Sequence, residues 1–134
     1  MAKSFEEILR RIREIQIPAD FDMIVAITNG GIIPGALLNE RLHLPFNLLH
    51  INWRDEDNNP RGPQPVLIRP QSFDCSGKRI LLADDRIKTG TTIEFAKNLL
   101  NAARDIKTFA INGNADYALF NEDCFTMPWR INDS

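Results

Sequence analysis

The chain has 134 residues, a formal net charge of -2, 43% hydrophobic and 25% charged residues, which suits one globular domain of ordinary core size. The small negative balance argues against an electrostatic grip on nucleic acid, and no apolar stretch approaches the roughly 20 residues that span a bilayer. The start, "MAKSFEEILRRIREI", has no apolar signal core, and two isolated cysteines, Cys75 and Cys124, form neither a zinc pattern nor a disulfide framework. These features predict a cytoplasmic protein with both cysteines acting as small buried hydrophobes.

"SFEE" at Ser4–Glu7 is a capping box. Phe5, Ile8, Ile12 and Ile15 then recur at helical spacing with Leu9 beside them, and Pro18 closes the helix. "MIVAI" at Met23–Ile27 is short, continuous and apolar, as expected of a strand covered on both faces. "TNGGIIPG" follows as a turn, with Pro34 in the first turn of a helix that runs to about Leu42. "FNLLHINW" at Phe46–Trp53 is the next strand. "RDEDNNPRGPQP" from Arg54 to Pro65 is too polar and too rich in Asn, Gly and Pro for core, so it predicts a long exposed loop of the functional kind. "VLI" at Val66–Ile68 resumes the sheet, and "RILLA" at Arg79–Ala83 predicts another buried strand. Thr91–Ala103 reads as a helix with Ile93, Ala96, Leu99 and Leu100 inward, followed by strands at Thr108–Ile111 and Tyr117–Phe120. Strands alternating with helices predict a single α/β domain built on a doubly wound, mainly parallel sheet. Ligands bind such sheets at the carboxyl ends of the strands.

Two strand ends carry the chemistry. In "ILLADDRIKTGTT", Asp84 and Asp85 leave the strand where they can reach a crevice. Adjacent carboxylates repel, so they are expected to have hydroxyl, basic or metal partners. Lys88–Thr92 lead into a helix N-terminus, where unpaired amides, three threonine hydroxyls and the freedom of Gly90 suit a phosphate. In "TNGG", Gly30 and Gly31 expose amides to an anion. Together they predict a clamp for a sugar phosphate. The competing reading makes the acids a solvated strand end and the threonines a helix cap. The P-loop and dinucleotide motifs are absent, and the isolated His43 and His50 read as structural.

An apolar strand, an acid pair and a following T-G-x-T resemble the signature of the type I phosphoribosyltransferases, which "ILLADDRIKTGTT" matches along its length. "VAITNGGIIPGALLNERLHLP" resembles that family's pyrophosphate loop and the helix after it. The short chain, the arginine in an Asp-Asn-containing loop and the "DY…PW" tail resemble the short bacterial xanthine–guanine phosphoribosyltransferases in particular.

The resemblance implies a five-stranded parallel core with a small hood. It implies 5-phosphoribosyl-1-pyrophosphate (PRPP) and a nucleobase as ligands, Mg²⁺ as cofactor, a role in nucleotide salvage and assembly as a dimer or tetramer. By the same resemblance Asp84 and Asp85 would face the ribose hydroxyls and the metal. Lys88, Thr89, Gly90, Thr91 and Thr92 would hold the 5′-phosphate. Thr28, Asn29, Gly30 and Gly31 would contact pyrophosphate, with a cis peptide at Thr28–Asn29, and Arg61 would close over it. Phe125 would stack on the base, with Cys124 as an alternative register, while backbone groups near Phe125 and Thr126 would read its edge.

Three features depart from the family pattern. Asn29 replaces a frequent cation of the pyrophosphate loop, and Lys88 stands where purine-specific members carry an aspartate. Asn112 and Asn114 follow the next strand where a lysine is common, Lys107 preceding it. The sequence therefore predicts either a phosphoribosyltransferase, with a purine as acceptor foremost, or a PRPP- or nucleotide-binding regulatory protein on the same fold.

Overall fold

The computed structural model describes residues 2–52 and 64–131. The elements in chain order are α1 (Phe5–Glu14), β1 (Met23–Thr28), α2 (Ile32–Leu42), β2 (Phe46–Asn52), β3 (Val66–Leu67), β4 (Arg79–Ile87), α3 (Thr91–Leu99), β5 (Asp105–Gly113) and β6 (Tyr117–Phe120). The strands form one sheet in the order β3-β2-β1-β4-β5-β6. Five of them, β1, β2, β4, β5 and β6, run parallel as expected. The sixth is the two-residue β3, which pairs antiparallel with the end of β2.

Side-chain alternation divides the core between the two sheet faces. Ile24, Leu81, Ala83, Phe109 and Ile111 pack on one side with Ile8 and Ile12 of α1 and Leu38 of α2. Val25, Ile27, Ile80, Leu82 and Ala110 pack on the other with Ile93 and Ala96 of α3 and with Leu100. This two-sided covering explains why the central strands are apolar throughout, and it makes the sheet doubly wound. Gly35 lets α2 lie directly on the sheet, since a Cβ there would meet Phe46 Cε1 at 2.6 Å and Ala26 Cβ at 3.0 Å.

Ser4 caps α1 by accepting the Glu7 amide at 3.1 Å. The helix ends at Glu14, before Pro18, and Phe5 remains 44% exposed although its spacing fits the apolar stripe. The helix before β5 stops at Leu99, not Ala103, with Leu99 only half-buried and Leu100 as its C-cap. Cys75 is buried as expected; Cys124 is exposed because it lies in an irregular segment after β6. His43 ends α2 in a left-handed conformation, φ 53°.

The largest difference concerns β4. It continues through Asp84 and Asp85 to Ile87 and does not end at Ala83. Beyond Ala83 it has lost β1 as a partner, but β5 runs on beside it, pairing Asp84 with Ala110 and Arg86 with Asn112. β5 is correspondingly long, and Lys107 lies within it, opposite Leu81, far from the strand's carboxyl end.

Candidate functional site

β1 and β4 are neighbours, yet the chain leaves β1 for α2 on one face and β4 for α3 on the other. That reversal opens a crevice at their carboxyl ends, the general position of ligand sites in open α/β sheets. The crevice has a volume of about 530 Å³ and is lined by the turn after β1, the acid pair and the turn before α3.

The turn after β1 is pressed against β4. The Gly31 amide donates to the Ile27 carbonyl at 2.7 Å. A Cβ on Gly31 would stand 2.4 Å from the Ala83 carbonyl oxygen and 2.7 Å from that of Ile27, so no side chain fits there. A Cβ on Gly30 would stand 2.7 Å from Asp85 Oδ1 and 3.1 Å from Asp84 Oδ1. The two glycines thus bring one loop's backbone against the other's carboxylates. The Thr28–Asn29 peptide is cis. Thr28 Oγ1 lies 3.4 Å from Nδ1 of His50, its register partner on β2.

Each carboxylate is oriented by the next amide. Asp84 Oδ1 accepts from the Asp85 amide at 2.8 Å, and Asp85 Oδ1 accepts from the Arg86 amide at 2.7 Å. Burial, reinforced by the negative charge of Asp85, pushes the Asp84 carboxyl well above the usual carboxylate range. The site therefore holds one proton more tightly than an exposed pair would, until a cation or hydroxyl donors arrive. Carboxylate oxygens suit Mg²⁺, which binds through one or two carboxylates while keeping waters and ligand oxygens. Among the described residues no cluster of three or more metal-ligating side chains exists. The pair fits a cation shared with a bound ligand.

At the far side Gly90 caps α3 with φ 82° and ψ 0°. Nothing lies within 4 Å of a Cβ placed there, so the turn needs glycine for its positive φ and not for space. Thr89 Oγ1 lies 3.1 Å from Thr91 Oγ1 and 3.4 Å from the Thr91 amide. The first-turn amides of α3 have no partners within the helix, and their residues Thr91, Thr92 and Ile93 line the crevice.

The structure brings together Thr28, Asn29, Gly30, Asp84, Asp85 and Lys88 to Thr92 around one cavity, with Gly31 buried beneath. Arg61, and the loop Arg54–Pro65 apart from its last two residues, lie outside the described residues. Phe125 differs from its expected part. It is 4% exposed and packs edge-to-face on Phe120, ring centroids 5.4 Å apart, inside the core. Neither it nor the exposed Thr126 is among the residues that line the cavity. Asn112, considered for base recognition, is buried and committed: its side chain donates to the carbonyls of Glu122 (3.1 Å) and Asp123 (3.4 Å) and accepts the Glu122 amide at 3.0 Å. Asn114 is exposed. Sequence reasoning passed over Arg86, a spacer within the motif, and the apolar wall of Ile27, Ile51, Ile68 and Ile87, which tertiary pairing alone assembles.

A donor-rich turn, an acid pair and a glycine-bearing loop thus converge at the switch point of a parallel sheet. The sequence pattern of the phosphoribosyl transferase domain matches residues 1–125, and the chain belongs to that family. A xanthine-guanine phosphoribosyltransferase from Desulfotalea psychrophila is 33% identical over 94 residues, covering 67% of this chain and 54% of that protein. The chain thus spans about half the length of this curated relative. A bifunctional protein PyrR from Roseiflexus sp. is 39% identical over 62 residues, covering 46% of this chain and 34% of the relative. Among solved structures, a purine phosphoribosyltransferase from Pyrococcus horikoshii superposes with a TM-score of 0.82 at 23% identity, over 100% of this chain and 95% of that one. That likeness is one of fold.

Proposed function

We propose that the protein transfers the 5-phosphoribosyl group of PRPP to a ring nitrogen of a nucleobase, a purine foremost, and releases pyrophosphate. The observation that carries this reading is the convergence of the acid pair, the Thr28–Gly31 turn and the Lys88–Thr92 turn on one crevice. In it Asp84 and Asp85 accept hydrogen bonds from the ribose 2′- and 3′-hydroxyls, in the orientation their backbone ties impose. The amides and hydroxyls of Thr89 to Thr92, with Lys88, take the 5′-phosphate. Thr28, Asn29 and Gly30 face the pyrophosphate, and Arg61 closes over it.

The C1′–oxygen bond to pyrophosphate breaks as the base nitrogen bonds to C1′, and the nitrogen's proton passes to water or to the pyrophosphate. Positive charge develops on the ring in the transition state, so fixed donors around the leaving group lower the barrier. Mg²⁺, held by Asp84 and Asp85 through water or the ribose hydroxyls, would supply further neutralisation of the pyrophosphate charge. With the Phe125 ring packed in the core, the segment after β6 offers the base backbone groups of Phe125 and Thr126 and not an aromatic face.

A second reading, a PRPP- or nucleotide-binding regulatory protein, is favoured by the absence of a stacking ring among the described residues that line the cavity. Calorimetric titration with Mg²⁺ and PRPP, followed by measurement of pyrophosphate release on adding guanine, xanthine or hypoxanthine, separates the two. Binding with release supports transfer; tight binding with no release supports the second reading; no binding refutes both.

A further inference from the structure

Arg86 is a half-buried cation that the roles above leave unused. It lies in β4 directly after the acid pair and lines the crevice, and its charge favours the ionised form of Asp84. Its Nη2 donates to the Phe125 carbonyl at 3.0 Å, whereas its Nε is buried with no hydrogen-bond partner there. A buried unmet donor is disfavoured, and such groups in native proteins call for an explanation.

Tethering the segment after β6 does not supply one. Asn112, the register partner of Arg86 on β5, already holds Glu122 and Asp123 by three hydrogen bonds. Lys3 adds an ion pair to Glu122 at 2.8 Å and sits over the Phe120 and Phe125 rings, 4.6 and 5.4 Å from their centroids. The Lys3 amide also donates to the Thr126 carbonyl at 3.4 Å. The segment is therefore secured without Arg86.

Arg86 follows the acid pair in β4 and its Nη2 reaches the segment after β6, so its guanidinium carries N–H donors between the two; on the phosphoribosyl-transfer reading the acceptor approaches C1′ on that side. Among the described lining residues the only acids are Asp84 and Asp85, which the sugar engages. A guanidinium, which can only donate, pairs with a carbonyl oxygen and leaves an exocyclic amino group facing N–H groups, an unpaired arrangement.

We propose that Arg86 is a specificity-determining residue at the acceptor end of the site. Its guanidinium, steadied by the Phe125 carbonyl, donates to an oxo group of the base and selects oxo-substituted over amino-substituted bases. This rests on the phosphoribosyl-transfer reading of the crevice, but product-side binding tests it without turnover.

The experiment compares equilibrium binding of xanthosine 5′-monophosphate and adenosine 5′-monophosphate, with Mg²⁺–PRPP binding as reference, in wild type, Arg86→Met, Arg86→Lys and Asn112→Ala. Wild type is expected to favour the oxo nucleotide. Loss of one charge-assisted hydrogen bond is expected to lower its affinity in Arg86→Met by at least about tenfold, with the amino nucleotide and PRPP changed less than about threefold. Arg86→Lys, which keeps a charged donor and guards against a misfolded Met variant, restores part of the preference. Asn112→Ala, which loosens the segment without touching the base, weakens both nucleotides alike. Equal losses for both nucleotides in Arg86→Met and Arg86→Lys, no change, or a wild type that binds neither nucleotide would overturn the inference. Failure of transfer with selective nucleotide binding intact would instead count against the enzyme reading alone.

Discussion

Replacing Gly30 by alanine tests whether the close approach of the two loops serves binding. Gly30 has no positive φ, so alanine carries no backbone strain and the substitution isolates the added methyl group. That methyl would sit 2.7 Å from Asp85 Oδ1 and 2.9 Å from its Cγ, well inside the ordinary contact range of 3.4–4 Å. The carboxylate must turn away, and in doing so it gives up the Arg86 amide that it accepts at 2.7 Å. In the free protein the displaced half-buried carboxylate regains water, so folding stability changes by no more than about 1 kcal/mol. In the complex the carboxylate is needed where it stands. A lost charge-assisted hydrogen bond of about 1.5–3 kcal/mol lowers Mg²⁺–PRPP affinity roughly 10- to 150-fold. Calorimetric titration reads the affinity and a thermal melt reads the fold. Wild-type affinity in Gly30→Ala, or an affinity loss matched by collapse of the melting transition, would refute the reasoning.

Three further outcomes are expected. Exchanging both acids, Asp84→Asn with Asp85→Asn, removes the charge that attracts the cation and weakens Mg²⁺–PRPP binding at least about a hundredfold; unchanged affinity in titration contradicts the assignment of the pair. Ile8→Ala on α1 empties a fully buried site facing the sheet and lowers unfolding stability by about 2–5 kcal/mol in urea denaturation; a loss under 1 kcal/mol would show that α1 is not packed as described. Asp105 accepts from Arg79 Nε at 3.1 Å, which holds its carboxyl below the usual range. Its contribution to stability is present above the ordinary carboxylate pKa of about 3.9 and is lost as pH falls through the lowered native value. Asp105→Asn therefore melts below wild type near neutral pH and the gap closes in acid; a gap that widens in acid reverses the sign.

The parts of the fold set by local pattern were legible in the sequence. The continuous apolar run of β1, the Ser4 cap and the Pro34-bearing start of α2 each carry their own physical cause. β4 was legible only as far as Ala83, because carboxylates at Asp84 and Asp85 look like a strand end. Their retention in the strand comes from the long-range partnership with β5, which no local rule shows. β3 is too short to announce its antiparallel pairing with β2.

In the site, "TNGG" and "DDRIKTGTT" were legible because amides, hydroxyls and carboxylates at strand ends have few other uses, and the family resemblance supplied their separate roles. That Phe125 is buried was not legible, because an aromatic residue in an irregular tail gives no sign of which neighbours cover it. Here Phe120 and Lys3 do. Arg86 escaped notice, and Asn112 was read only as a departure in base recognition, for the converse reason: each contacts the segment after β6, distant in sequence.

Lys88 joins the acceptor question to the motif itself. It is exposed at the cavity edge and replaces a carboxylate expected in purine-specific relatives. Lys88→Asp restores a proton acceptor there and is expected to raise purine transfer; no improvement with any purine would remove Lys88 from the account of specificity.

The most direct measurement is nucleoside monophosphate formation from PRPP and Mg²⁺ with a panel of purines, pyrimidines and other nitrogen bases. The account predicts product with at least one base, an oxopurine foremost, and loss of product in the Asp84→Asn, Asp85→Asn double variant. Clear Mg²⁺-dependent binding of PRPP with no product from any base would contradict it.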